Sequence, residues 1–169
     1  GSTDIQEIFT DRSDASGTGY FDPINNVYIS EILEWVTGKK DVTLPRIVAP
    51  GEVGAKAGKT VIASGAGDNA GAALGIGAVV GDLIISLGTS GTAFAVSSSP
   101  SHDQSGEVAG FADATGNFLP LACTLNAAKV FDATAKLLGV GFEEYSQLAL
   151  QASPGADGVM MAPHFDGER

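Results

Sequence analysis

The chain has 169 residues, with 20 acidic and 9 basic side chains, 23 glycines and a single cysteine. That length suits one domain or parts of two, and a 44% apolar fraction argues against intrinsic disorder despite a net charge of -11. No apolar run approaches the ~20 residues that span a bilayer, no leader pattern opens the chain, and Cys123 has no second cysteine to pair with. A cytoplasmic protein with no membrane partner is expected.

Charge is unevenly spread. Residues 61–169 hold 11 acids against three bases, Lys129, Lys136 and Arg169. Nucleic acid calls for a basic surface to neutralise phosphates, and this half offers none. A phosphate bound here has to be held by backbone N–H groups, a helix terminus or a metal ion.

In chain order, Gly1 to Pro23 reads as polar and turn-rich, and Gly1-Ser2 resembles a cloning remnant. Ile29, Ile32, Leu33 and Val36 recur at helical spacing with Gly38 as the stop, which predicts a short amphipathic helix. Five prolines and glycines between 45 and 58 predict an irregular connector. Val61 to Ser64 reads as a short buried strand running into Gly65-Ala66-Gly67-Asp68-Asn69-Ala70-Gly71 and a helix of small residues. Glycine weakens a helix by up to ~1 kcal/mol per residue, so such a helix is expected to lie close against a neighbour.

Two strand-like runs, Leu83–Leu87 and Thr92–Ser97, flank Gly88-Thr89-Ser90-Gly91, a tight-hairpin signature. A strand is expected near 117–123, then a helix capped by Thr124 and stopped by Gly139, with Leu125, Ala128, Phe131 and Leu138 on one face. Phe142 to Ala152 predicts another helix, and Val159–Pro163 a last strand. This mixture indicates an α/β or α+β architecture. Trp35 and Tyr145 are expected in the core, Cys123 as a core thiol, and His102 as a solvated loop residue. His164 is expected to be structural, and Glu168 with Arg169 to form an ion pair.

Gly65-x-Gly67-x-x-x-Gly71 between strand and helix invites a dinucleotide-binding reading, but its third glycine is one residue late. The distinctive feature is Asp68. A carboxylate at a helix N-terminus sits in a field favourable to negative charge and can accept a proton or hold Mg²⁺; the plainer reading is an N-cap. Gly88 to Gly91 supplies N–H and O–H donors without a cation, which is how an acidic protein can cradle phosphates; the plainer reading is a polar turn. No metal-ligand set stands out.

Ser-Gly-Ala-Gly-Asp68-Asn69-Ala-Gly, followed by Ser86-Leu-Gly-Thr-Ser-Gly, resembles the FGGY carbohydrate kinases. Thr10 to Thr18, Leu44-Pro45, Pro50 to Gly54 and Gly167-Glu168-Arg169 agree with that family in order, so the resemblance covers essentially the whole chain. Glycerol kinases carry Gly-Asp-Gln-Gln where this sequence has Gly67-Asp68-Asn69, which points to the branch phosphorylating the ketopentose D-xylulose. The resemblance implies an α/β, actin-like ATPase fold of the ribonuclease H type, whose two domains close around sugar and MgATP. Residues 1–81 correspond to the end of the N-terminal domain and 82–169 to the start of the C-terminal one. It implies Asp68 as catalytic base and sugar ligand, Asn69 as a sugar ligand, and Gly88, Thr89, Ser90 and Gly91 as binders of the ATP phosphates.

The family's first phosphate motif, Asp-x-Gly-Thr, and its adenosine motif have no counterpart here, so the chain corresponds to the middle of a kinase and is expected to be inactive alone. Self-association, as a homodimer at its simplest, is expected from uncovered strand edges. The alternatives are another sugar or polyol kinase of the family, or a non-catalytic actin-like nucleotide-binding module.

Overall fold

The computed structural model describes residues 4–165, 167 and 168. Gly1-Ser2 and Arg169, and with them the expected remnant and the Arg169 half of the Glu168 ion pair, lie outside the described residues. The chain forms two compact units, one of residues 1–84 and 94–122, the other of residues 85–93 and 123–169.

In the first unit, β1 (Phe9–Asp11) leads into α1 (Arg12–Ser16), and the hairpin of β2 (Phe21–Asp22) and β3 (Val27–Tyr28) follows. The stretch expected to be merely turn-rich therefore contains a strand and a helix. Asp11 makes the difference: its Oδ1 accepts the N–H groups of Ser13 (2.8 Å) and Asp14 (3.1 Å), the geometry of an N-cap. The predicted amphipathic helix is α2 (Ser30–Thr37), stopped at left-handed Gly38, but only its Leu33 is buried and Trp35 is 85% exposed. The core placement of Trp35 is thus corrected.

The expected connector is also more regular than its composition. It holds β4 (Arg46–Val48), which pairs parallel with β1 from Phe9↔Arg46 to Asp11↔Val48, and β5 (Val53–Ala57). Prolines and glycines there punctuate short strands, with a Pro50-Gly51 turn closed by the Glu52 N–H on Ala49 O (3.0 Å). β6 (Thr60–Ala63) pairs antiparallel with β5, and it is exposed rather than buried, Val61 by 57%. That antiparallel pairing also differs from the parallel βαβ unit of a dinucleotide site.

After β6 comes α3 (Asp68–Gly75), whose Ala70 and Ala73 pack into the core cluster with Phe94, Val96, Leu119 and Leu121. The small residues let the helix approach that cluster, although Gly75 itself meets nothing within 4 Å. β7 (Leu83–Leu87), β8 (Gly91–Ala95), β9 (Ala109–Ala112) and β10 (Phe118–Thr124) form a four-stranded sheet of order β7-β8-β10-β9. β9, an Ala-Gly-Phe-Ala run in which only Phe111 favours a strand, exists because it pairs antiparallel with β10, Phe118 opposite Ala112. β7 lies at the sheet edge with Leu83, Ile85 and Leu87 each more than 60% exposed.

In the second unit, α4 (Ala128–Leu138) and α5 (Phe142–Gln151) are joined through Gly139, and the Phe131 and Tyr145 rings lie 6.4 Å apart. Tyr145 is half-buried. Thr124 does not cap α4: it ends β10, the N-cap is Ala127, and the buried face carries Val130 and Ala135 rather than Phe131 and Leu138. Residues 159–163 form no strand, having no ladder partner among the described residues, and Val159 and Met160 are exposed.

One buried side chain ties the first unit together. Arg12 donates from Nε to Asn26 Oδ1 (3.0 Å), from one terminal nitrogen to Asn117 O (2.6 Å) and from the other to Pro23 O (2.8 Å). It lies 3.9 Å from buried Asp113 and stacks 5.5 Å from the Phe118 ring centroid. Burial holds the guanidinium below its ordinary pKa and Asp113 pulls it back up. Arg12→Met should destabilise the chain by about 3–5 kcal/mol, because it removes the countercharge of a buried carboxylate and leaves the Pro23 and Asn117 carbonyls without their donor. Arg12→Lys should recover only part of that, since an ammonium cannot reproduce the fork. Urea-denaturation midpoints of the three proteins check both statements, and an unchanged midpoint for Arg12→Met contradicts them.

Candidate functional site

Asp68 is the first residue of α3, exposed, at the end of the turn that leaves β6. The turn needs a left-handed residue at Gly65 (φ 91°), where Asp11 Oδ2 would stand 3.4 Å from any added Cβ. Gly67, the N-cap, offers α3 no side chain; instead its own N–H donates to Ser13 Oγ at 2.9 Å, 54 residues away. Asp68 Oδ1 accepts the backbone N–H of Asn69 (2.7 Å) and its Nδ2 (3.1 Å). Oδ2 takes no hydrogen bond from the described residues, so one oxygen is oriented and the other is open to a ligand. Around them lies a cleft of about 260 Å³, with Ser13, Asp14, Gly67 and Asn69 on its polar side and Phe111 and Leu119 on its apolar side.

The sequence alone does not assign Ser13, Asp14 and Phe111 to the site. Its only signal is that Thr10 to Thr18 is a block in the family-like order; the nearness of that block to residues 67–69 depends on long-range packing. Asp14 is itself held, accepting the Thr10 hydroxyl at 3.0 Å.

Gly88 to Gly91 is the turn between β7 and β8, as expected. Within the second unit, Ala128 N–H donates to Gly88 O (2.9 Å) and Ala127 N–H to Thr89 O (3.4 Å). The start of α4 thus consumes carbonyls of the turn, while Gly88, Thr89 and Ser90 stay exposed. Gly91 is buried, and a Cβ there would lie 3.0 Å from Ala127 Cβ and 3.5 Å from Thr124 Cγ2. A side chain here would force Ala127 to give by a few tenths of an ångström.

The floor below is clasped by Glu168. Its carboxylate accepts the Leu125 N–H (3.0 Å), Asn126 Nδ2 (3.0 Å) and the Thr124 hydroxyl. His164 Nδ1 stands 4.0 Å from Glu168, an exposed side chain in a structural contact. His102 is exposed, as expected, whereas Cys123 is exposed near the end of β10 rather than a core thiol. Its strand leaves the packed region there, so alternation no longer implies burial.

Among the described residues no group of three or more His, Cys, Asp or Glu could hold a metal ion. The described residues do not build a Mg²⁺ site. No described helix is long and apolar enough to cross a membrane.

Gly91→Val should push α4 off the turn and destabilise the chain by about 1–3 kcal/mol, the usual cost of overpacking. Thermal unfolding checks this; an unaltered transition means the turn is not seated as described.

No family model matches the sequence. The xylulose kinase of Streptomyces rubiginosus is 46% identical over 169 residues, 95% of this chain and 33% of that protein. The one from Streptomyces coelicolor is 47% identical over the same spans. The crystal structure of xylulose kinase from Bifidobacterium adolescentis superposes with a TM-score of 0.86 at 40% identity, covering 99% of this chain and 38% of that one. The chain spans about a third of the length of the curated relatives it matches. Over 95% of its length the chain is thus similar to xylulose kinases, and its actin-like α/β fold of the ribonuclease H type is the one found in the FGGY carbohydrate kinases.

Proposed function

We propose that this chain is the central part of an ATP-dependent kinase that converts D-xylulose to D-xylulose 5-phosphate, with Asp68 as the general base. The observation that carries the reading is the state of the Asp68 carboxylate. One oxygen is oriented by Asn69 and the other is open, at the edge of a cleft suited to a small sugar rather than a drug-sized ligand. The names of the relatives, at 46–47% identity, support the substrate.

In this scheme Asp68 takes the proton of the attacking sugar hydroxyl as its oxygen bonds to the γ-phosphorus and ADP departs. Asn69 orients the base and contacts the sugar. The turn Gly88, Thr89, Ser90 and Gly91 meets the phosphates with backbone and hydroxyl donors, as a chain with so few bases beyond position 60 requires. The domain boundary falls near residue 81 on this reading.

In a full-length kinase carrying this sequence, Asp68→Asn keeps the shape and removes the proton acceptor. Phosphorylation of xylulose should fall by about 10²–10⁴-fold with little change in ATP affinity. A coupled ADP-release assay with nucleotide titration checks it; near-normal turnover moves the base elsewhere.

The 169-residue chain alone should show no measurable kinase activity in that assay. Phosphoryl transfer depends on a complete set of positioned donors, and only part of one is present. Light scattering should report self-association through uncovered apolar surface such as the β7 edge. Robust turnover by a clean monomer contradicts both expectations.

A further inference from the structure

We propose that Ser13 is a positioning residue for catalysis: its hydroxyl, oriented by Asp11, fixes the first turn of α3 and so the carboxylate of Asp68. The proposal rests on the reading of Asp68 as the base.

Asp11 and Ser13 are both buried, at 7% and 5% exposure. Asp11 Oδ1 accepts the Ser13 hydroxyl as well as the Ser13 and Asp14 N–H groups. A serine hydroxyl has one hydrogen. With that hydrogen committed to a carboxylate, only the lone pairs of Ser13 Oγ remain, and they can serve only a donor. The donor is the Gly67 N–H at 2.9 Å, on the residue directly before Asp68.

α3 depends on this contact more than most helices would. It has eight residues, Gly71 and Gly75 among them, and no side chain caps its N-terminus. The group that orients Asp68 is the N–H of Asn69, on the same turn, so a displaced turn moves base and orienting group together. Ser13 also lines the cleft in which Asp68 stands. Displacements of about 1 Å at a reacting group can cost on the order of 10²-fold in rate.

The test is a double-mutant cycle in the full-length kinase carrying this sequence, read as kcat with xylulose and KM for ATP. Ser13→Ala should lower kcat by about 10–100-fold with KM for ATP unchanged. Ser13→Thr, which keeps the hydroxyl, should recover most of the loss. In an Asp68→Asn background, Ser13→Ala should cost less than about two-fold more, since both changes act on one step. A near-normal kcat for Ser13→Ala overturns the proposal, as does an equal loss in both backgrounds, which would mark a purely structural role. Near-normal activity of Asp68→Asn alone instead overturns the base reading, and the positioning role with it. Should Ser13→Ala fail to fold, Asp11→Asn, which keeps the shape and weakens the acceptor, takes its place in the cycle: a kcat loss confined to the Asp68 background supports the proposal, and a near-normal kcat or an equal loss in both backgrounds overturns it.

Discussion

The first unit is organised by a pair of adjacent charged residues that face different tasks. Arg12 spends its guanidinium on carbonyls and a carboxylate drawn from as far away as Asn117, 105 residues along the chain. Taking such an ion from water is expensive, and the cost is recovered only when nearly every N–H finds an acceptor. Asn26, Pro23 and Asn117 supply acceptors and Asp113 a countercharge 3.9 Å away, and Asp113 is in turn held by the N–H groups of Thr115, Gly116 and Asn117. α1 thereby has one place to sit, and a further bond from the Ala112 N–H to Ser16 Oγ at 3.0 Å fixes it against β9.

Asp11 uses that fixed position. It caps α1 and, through Ser13, reaches the start of α3. A helix of eight residues interrupted by two glycines has little intrinsic stability, so its end is set by what surrounds it. Its small alanines, Ala70 and Ala73, pack into one cluster with Phe94 and Leu119.

The hairpin turn in the second unit solves a different problem. Carbonyl oxygens would repel an anion, and two of them, on Gly88 and Thr89, are engaged by the N–H groups that open α4. Gly91 permits that seating, and Glu168 holds the segment beneath it. A turn prepared in this way can present donors without any lysine or arginine, which suits a chain carrying a net charge of -11.

Much of this is legible in the residues alone. The hairpin over 83–95, α2 with its Gly38 stop, α5, the strand-to-helix turn at Asp68 and the family resemblance all follow from local spacing and from residues a few positions apart. Such patterns are readable because turn chemistry and helical periodicity are short-range. Elsewhere local rules mislead: β9 has only Phe111 to favour a strand, β4 and β5 hide among prolines and glycines, Thr124 resembles a cap, and Trp35, Cys123 and Val61 look like core. Pairing and burial at those places depend on distant segments, and a period of two or 3.6 does not say whether anything covers the face it defines. The sequence by itself determined which residues are candidates for the chemistry, Asp68, Asn69 and the turn from Gly88 to Gly91. Only the tertiary structure decided that Ser13 and Asp11 stand beside the start of α3 and that Glu168 clasps the segment under Gly91, because hydrogen bonds across 54 or 43 residues leave no periodic trace in the chain.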